Sequence, residues 1–358
     1  MLKKQCSILL IFSLLLFSIT GCSGTKNSSQ SDKKADSSVS DKKDSSVSDG
    51  EDSSEELPEN KTEIRIGCMK GPTAIGMIKL LSDSDKDAAK NSYQYTIAGT
   101  ADEISTGLMG GTLDMAAVPC NLASILYQKS QGEIVTVAVN TLGVLYIVES
   151  GDTVHSVSDL KGKTLYSTGQ GTTPEYTLRY LLTSAGLDPD KDVTIEYKSE
   201  ATEVVAALTQ NPNALAMLPQ PYVTIAQKNN ETLRIALDIT KEWEANSDST
   251  VVTGVIVAHK SFIKEHPEAF AAFLAEYKES ALYANSNIDE TAALLEEYDV
   301  FKAAIAKQAI PYCNVTYLDG EEMQSKVLSY LKILYDQNPA SVGGKLPEED
   351  MFYIHENK

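Results

Sequence analysis

Short apolar runs alternate with amphipathic segments from residue 64 to residue 259, and this alternation most constrains what the chain can fold into. Residues 64–67, 115–118 and 214–218 are typical strands, and each precedes a segment whose apolar residues recur every three or four positions. Strands that alternate with amphipathic helices indicate βαβ units. The sequence therefore predicts an α/β fold, with a second βαβ series beginning near residue 150.

Five turns with small or polar residues connect a predicted strand to a predicted helix. They are residues 70–73, 99–101, 119–121, 168–174 and 219–222. In the fourth turn, Gly169 and Gly171 precede residues typical of a helix start, Thr172, Thr173 and Pro174. A helix start presents free backbone N–H groups, and no Lys-Ser/Thr follows to make a nucleotide loop. The turns predict a ligand cleft if the strand ends face each other, and ordinary turns otherwise.

The first 22 residues are typical of a secretory signal, with basic Lys3 and Lys4 before an apolar core at 8–17. Residues 19–22, Ile-Thr-Gly-Cys, resemble the lipobox of bacterial lipoproteins, which implies acylation of Cys22 by chains such as palmitate. A plain signal peptide is the alternative. Residues 23–61 are rich in Ser, Asp and Lys, and this composition predicts a disordered linker.

Composition narrows the classes of partner and cofactor. The formal net charge of −19 argues against nucleic acid as a partner. Cys68, Cys120 and Cys313 are predicted to be buried thiols, with one disulfide as a minor alternative. The four histidines show no spacing suited to a metal site, and we expect no cofactor.

Several motifs follow one another in an order that resembles a known family. They are residues 64–67 (Ile-Arg-Ile-Gly), 70–73 (Lys-Gly-Pro-Thr), 114–119 (Asp-Met-Ala-Ala-Val-Pro), 157–163 (Val-Ser-Asp-Leu-Lys-Gly-Lys) and 217–221 (Met-Leu-Pro-Gln-Pro). With the lipobox, the linker and a helical tail, this order resembles the solute-binding lipoproteins of ABC importers. Within them it is similar to the branch that serves nitrate, sulfonate, taurine and thiamine-precursor uptake.

The resemblance implies a periplasmic-binding-protein type 2 fold, with two Rossmann-like lobes of mixed sheets joined by two crossover strands. Residues 62–142 and 253–358 would form the first lobe, and residues 143–252 the second. The helical C-terminal segment would pack on the first lobe. The resemblance further implies a monomer, lipid-anchored on the extracytoplasmic face of the membrane, that closes on a small molecule and docks to a membrane permease.

Candidate ligand-binding residues come from the turns and from the first crossover. Lys70 would supply positive charge to an anionic group, and its alternative is a solvated lysine. The threonines and Asn121 would hydrogen-bond a ligand, and their alternative is helix capping. We expect Trp243 to be a surface or hinge residue, with closure over a ligand as its alternative. Glu200 and Glu203 are expected to be helix-dipole partners. The full predicted set is Lys70, Gly71, Thr73, Asn121, Leu142, Gly169, Thr172, Thr173, Gln220 and Tyr222.

Transport is the first functional interpretation, with a small organic acid, a sulfonate or another acceptor-rich molecule as the ligand. The alternatives are a ligand-sensing lipoprotein that serves a receptor and an enzyme on the same fold, similar to a pyrimidine-precursor synthase. The sequence shows no His-supported Ser or Cys and no paired carboxylates on the turns, which disfavours the enzyme. Cys120 is the one residue on a predicted cleft turn that argues for chemistry, and no histidine can be placed beside it.

Overall fold

The computed structural model describes residues 61–211 and 213–354. The predicted signal peptide, the lipidation site Cys22 and the predicted linker up to residue 60 lie outside the described residues.

The first sheet is mixed and has the spatial order β11, β4, β10, β3, β1, β2. Strand β1 pairs in parallel with β2 and β3, whereas β10 runs antiparallel to both of its neighbours, β3 and β4. Strands β3 and β4 are buried along almost their whole length, which explains their near-continuous apolar sequence. The bounds are β1 Glu63–Met69, β2 Ser92–Ala98, β3 Met115–Pro119, β4 Ile134–Leu142, β10 Val252–His259 and β11 Val315–Leu318.

The second sheet has the order β7, β6, β8, β5, β9, with β6 parallel to β7 and β8 and with β5 antiparallel to β8 and β9. Its strands lie between β4 and β10 in the sequence, so the chain passes between the sheets twice. The predicted lobe boundaries at residues 142 and 252 stay a prediction. The bounds are β5 Leu145–Ser150, β6 Thr164–Ser167, β7 Thr194–Tyr197, β8 Leu215–Pro219 and β9 Leu233–Asp238.

Helices follow most of the strands, as the alternation predicts. The helices before β10 are α1 Pro72–Ile75, α2 Ile78–Asp85, α3 Ala101–Met109, α4 Cys120–Lys129, α5 Thr173–Ser184, α6 Ala201–Gln210, α7 Tyr222–Asn229 and α8 Ile239–Asn246. The C-terminal helices are α9 Lys260–Glu265, α10 Pro267–Ser286, α11 Ile288–Glu297, α12 Ala303–Ala309 and α13 Gly320–Gln337. Short 3₁₀ helices lie at Val157–Leu160, Ile310–Tyr312, Pro339–Val342 and Glu349–Met351. No helix in the described ranges is long and apolar enough to cross a membrane.

The C-terminal helices pack on the first sheet, as expected, and they also reach the second. Helix α10 contacts α2 and β11, while α12 contacts α7 and α13 contacts α4 and α5. Strand β11 was missed from the sequence because Val315–Leu318 is a four-residue run inside a helical stretch. The C-terminal segment therefore contributes to both halves of the fold.

Trp243 differs from its prediction as a surface or hinge residue. Its side chain is fully buried, and its ring lies 4.5 Å from the Tyr180 ring and 5.2 Å from the Tyr330 ring, measured between centroids. Tyr180 belongs to α5 and Tyr330 to α13. The tryptophan is thus a core residue between second-sheet helices and the C-terminal helix.

The three cysteines of the described residues are free and buried, which confirms the prediction of buried thiols. Burial raises the pKa of the Cys68 thiol to about 12. The Cys120 thiol is also raised in pKa by burial. These side chains are protonated core groups at neutral pH.

Candidate functional site

Two of the predicted turns meet directly, one from each sheet. Asn121, in the first turn of α4, donates through Nδ2 to the Gly171 carbonyl at 3.2 Å and to the Ser341 carbonyl at 2.9 Å. Its Oδ1 accepts from the Thr173 hydroxyl at 3.3 Å. Asn121 has no solvent exposure. The turns at 119–121 and 168–174 therefore share one buried hydrogen-bond network.

A second pair of turns meets at Tyr222, the first residue of α7. Its hydroxyl donates to the Lys70 carbonyl at 3.3 Å, and its ring packs edge-on against Phe301, with centroids 5.6 Å apart. Burial, helped by the carboxylate of Glu200, raises the pKa of Tyr222 to about 12. The phenol is therefore a neutral hydrogen-bond donor at physiological pH.

The turn at residues 99–101 faces the start of α6. A Cβ atom on Gly99 would lie 2.6 Å from Glu200 Oε1, so the carboxylate approaches the bare backbone. Glu200 occupies the N-cap position of α6, and the Glu203 carboxylate accepts from the Ser199 N–H at 2.9 Å. Both acids lie at the positive end of the helix, as predicted.

The glycine-rich turn differs from the predicted free cradle. The Gly171 N–H donates to Glu175 Oε2 at 2.7 Å, so the chain supplies its own carboxylate there. Thr172 is the N-cap of α5, and its hydroxyl donates to the Gly169 carbonyl at 2.8 Å. Gly169 has φ +75°, the left-handed region that favours glycine. Gly169 and Thr172 therefore shape the turn.

Three further predicted residues lie near the first turn and the first crossover. The Thr73 hydroxyl donates to the Met69 carbonyl at 2.8 Å and accepts from the Met69 N–H, so it stabilises its own turn. Gly71 precedes α1, and Leu142 ends β4 opposite Val252. None of these three residues lines either of the two cavities described below.

A cavity of about 360 Å³ opens beside Lys70 and Tyr222. One wall comes from α7 and the other from the segment that joins α11 to α12 and from α12 itself. Its apolar surface is formed by Tyr222, Ile225, Val300, Phe301 and Ile305. This volume lies within the range of small-molecule sites, roughly 300–1,000 Å³.

Charged groups surround this cavity. Lys70 Nζ donates to the Asp299 carbonyl at 3.1 Å. The Asp299 backbone has a positive φ of 52°. Lys302 lies 3.5 Å from Glu296 and is paired with it. Lys228 also lines the cavity and has no ion-pair partner among the described residues. The lysines exceed the acids by one along this lining.

The cavity thus contains two predicted residues and several that sequence reasoning missed. Lys228 belongs to an ordinary amphipathic helix, and Phe301 lies more than 200 positions after Lys70 in the sequence. No local pattern indicates that the α11–α12 segment returns to the first turn. The one sequence signal for a turn in the α11–α12 segment is Asp299, because aspartate tolerates a positive φ at a helix end.

The two mixed sheets with strand-end turns facing each other define the class: this is a periplasmic-binding-protein type 2 fold. A profile of the NMT1/THI5-like family matches residues 108–291, just over half of the sequence. The chain belongs to the NMT1/THI5-like family. No match was found among curated proteins.

Solved structures show the same fold. An ABC transporter protein from Parabacteroides distasonis is 24% identical, with a TM-score of 0.69 over 83% of this chain and 100% of that chain. The aliphatic sulphonate binding protein SsuA from Escherichia coli is 17% identical, with a TM-score of 0.64 over 84% and 95%. The nitrate-binding protein NrtA from Synechocystis PCC 6803 is 14% identical, with a TM-score of 0.60 over 82% and 84%.

Proposed function

We propose that this protein is the solute-binding subunit of an ABC importer and delivers a small organic molecule to a membrane permease. The observation that carries the proposal is the meeting of strand-end turns from both sheets, at Lys70 with Tyr222 and at Asn121 with Thr173. A ligand held beside these contacts touches both halves of the chain. Binding then favours a closed arrangement, which is the signal that a permease reads. The family membership and the binding-protein neighbours support this function.

The ligand of the Lys70 cavity is a small organic acid with an apolar body. Lys228 is a cation without an ion-pair partner among the described residues there, and Lys70 also lines the cavity. The aromatic pair Tyr222 and Phe301 suits the apolar part of the ligand. The glycine-rich turn is less suited to an anion, because Glu175 already accepts from Gly171. We therefore assign the anionic group of the ligand to the part of the cavity lined by Lys70 and Lys228.

Binding without catalysis is the proposed activity. Cys120 is fully buried, and burial raises the pKa of its thiol, which opposes a role as nucleophile. His259 Nε2 bonds the Leu108 carbonyl, away from any predicted cleft turn. Two of the known structures of similar fold, SsuA and NrtA, are binding proteins by name.

The location follows from the N-terminal sequence. The lipobox at residues 19–22 supports acylation of Cys22 and attachment to the extracytoplasmic face of the membrane. Residues 23–61 would tether the folded part, which we propose to be a monomer of two lobes, 62–142 with 253–358 and 143–252. A tether of 39 residues has a root-mean-square span of roughly 35 Å.

A thermal-shift screen with small organic acids, sulfonates and neutral heterocycles tests the proposal. A ligand at 100 times its dissociation constant stabilises the folded state by about 2.7 kcal/mol. Acids are expected to raise the melting temperature more than their neutral analogues. A screen in which only neutral compounds act would refute the anionic assignment.

Two lysine variants sharpen the test. At about 4 Å and in a water-like dielectric, one charge contributes about 1 kcal/mol, or roughly fivefold in affinity. Lys228→Ala and Lys70→Ala are each expected to weaken acid binding by about that factor. Lys264→Ala, an exposed lysine on α9 outside the cavity, is the matched control. Equal affinities in all three variants would contradict the assignment.

A further inference from the structure

A second cavity, of about 690 Å³, lies on another side of α7. Its walls are the end of β8, helix α7, strand β9 and the α12 region up to Tyr312. It shares Lys228 with the Lys70 cavity and otherwise has different lining residues. The two cavities can therefore be altered independently.

Uncharged amides are the largest group among the polar lining residues of this second cavity. Gln220 is only 2% exposed, and its Oε1 accepts from the Thr224 N–H at 3.3 Å and from the Thr224 hydroxyl at 2.8 Å. The Thr224 N–H can only donate, so it fixes which end of the Gln220 amide is the oxygen. Gln220 Nε2 then has no hydrogen-bond partner among the described residues. The Gln220 side chain is almost fully buried and lines the cavity, so its unpartnered Nε2 favours a ligand that brings an acceptor.

Other amides add to this set. Gln227 Nε2 donates to the Leu233 carbonyl at 3.2 Å, which leaves its oxygen for another partner. Gln308 comes from α12 on the opposite wall and is exposed. Lys228 and Glu231 are the charged lining residues, and their charges are opposite. The lining therefore has no net formal charge.

Apolar groups in the same cavity are unusually exposed. Tyr312 is 57% exposed and Ile235 is 40% exposed, and both line the cavity. The Tyr312 ring packs against no other aromatic ring in the described part of the chain. An exposed aromatic face beside uncharged amide groups suits a polar ring, which can stack on the face and hydrogen-bond with the amides.

We propose that this second cavity binds a neutral ring compound, with an acceptor group on Gln220 Nε2 and one ring face on Tyr312. Such an occupant contacts α7 and β9 on one side and the α12 region on the other. The Tyr146 hydroxyl also donates to the Tyr312 carbonyl at 3.5 Å, which holds this region against the second sheet. The proposal does not depend on the ligand assigned to the Lys70 cavity.

Isothermal titration with nicotinamide and with the neutral disaccharide cellobiose tests this proposal. Nicotinamide represents planar amides and cellobiose represents hydroxyl-rich rings, while benzoate is a charged analogue of nicotinamide. At least one neutral probe is expected to bind, and benzoate more weakly than nicotinamide. Failure of both neutral probes, or tighter binding of benzoate, would overturn the proposal.

Variants locate the binding. Tyr312→Ala and Gln220→Glu are each expected to weaken the bound probe at least fivefold. Leu282→Ala has the same 57% exposure on α10, and Gln94→Glu adds the same charge on an exposed residue of β2; both are expected to bind like the parent. Tyr312 is a surface residue, so its variant keeps the test valid if Gln220→Glu unfolds. Undiminished binding in Tyr312→Ala would refute the assignment to this cavity.

Discussion

Replacement of Asn121 by alanine tests how much the hydrogen bonds between the two sheets contribute to the stability of the fold. The side chain of Asn121 joins α4 to Gly171 and Thr173 of the second-sheet turn, and to Ser341 near the C-terminus. Asn121→Ala removes three hydrogen bonds at a site with no solvent exposure. The Ser341 carbonyl and the Thr173 hydroxyl lose their partner at buried positions, whereas the Gly171 carbonyl belongs to an exposed residue.

The expected cost follows from these bonds. A buried hydrogen bond contributes about 1 kcal/mol net, and a buried donor or acceptor that is left without a hydrogen bond costs about 1–3 kcal/mol. The free energy of unfolding should therefore fall by roughly 2–3 kcal/mol. With a urea m-value of about 3 kcal/mol/M, the midpoint should fall by roughly 1 M, and m should not change.

Urea denaturation followed by circular dichroism measures this loss. Asn213→Ala is the control, because Asn213 is exposed and its side chain makes no hydrogen bond in the described structure. The control is expected to unfold within about 0.5 kcal/mol of the parent. A midpoint for Asn121→Ala that matches the control would refute the reasoning that this network joins the two sheets.

Three further predictions concern the core and the charged groups. Trp243→Ala should lower the free energy of unfolding by about 3–5 kcal/mol, because it empties a site packed against Tyr330; a loss below about 1 kcal/mol in chemical denaturation would contradict this. Cys68 and the other two described thiols should resist Ellman's reagent at pH 8 and react in guanidinium, as read by peptide mass mapping; rapid modification of the native protein would show that they are accessible. Burial opposes ionisation of Glu149, but hydrogen bonds and the charge of Arg234 outweigh it and lower its pKa below the usual 4.5, so its stabilisation is present above that value and is lost as pH falls through the folded pKa. Glu149→Gln should therefore flatten the acid limb of stability against pH, and an unchanged limb would argue against this pair.

Much of the fold was predictable because strands and helices leave a local pattern. The apolar runs at residues 64–67, 115–118 and 214–218 correspond to β1, β3 and β8, and small residues marked the turns after them. The pairing of these turns also follows from a general rule, since strand ends of facing sheets collect at one place. Strand β11 was missed because four residues carry too little periodicity.

The site was less predictable, because its chemistry depends on contacts between distant segments. Nothing in the sequence near Gly171 shows that Glu175 turns back to accept its N–H. Nor does the sequence around Trp243, flanked by glutamates, indicate full burial; the cause is its packing on Tyr330, 87 positions later. The sequence likewise does not indicate that Phe301 lines the Lys70 cavity, because this contact joins segments that are far apart in the chain.

The position of β10 has a consequence for how the chain acquires its shape. This strand lies between β3 and β4 and pairs with both, yet it follows every strand of the second sheet in the sequence. A growing chain shorter than 259 residues lacks the full length of this strand, so β3 and β4 have no partner between them. The second sheet, by contrast, uses one continuous segment from Leu145 to Asp238 and is complete earlier. Synthesis therefore completes every strand of the second sheet before β10, so the second sheet can form while the first sheet still lacks the strand between β3 and β4.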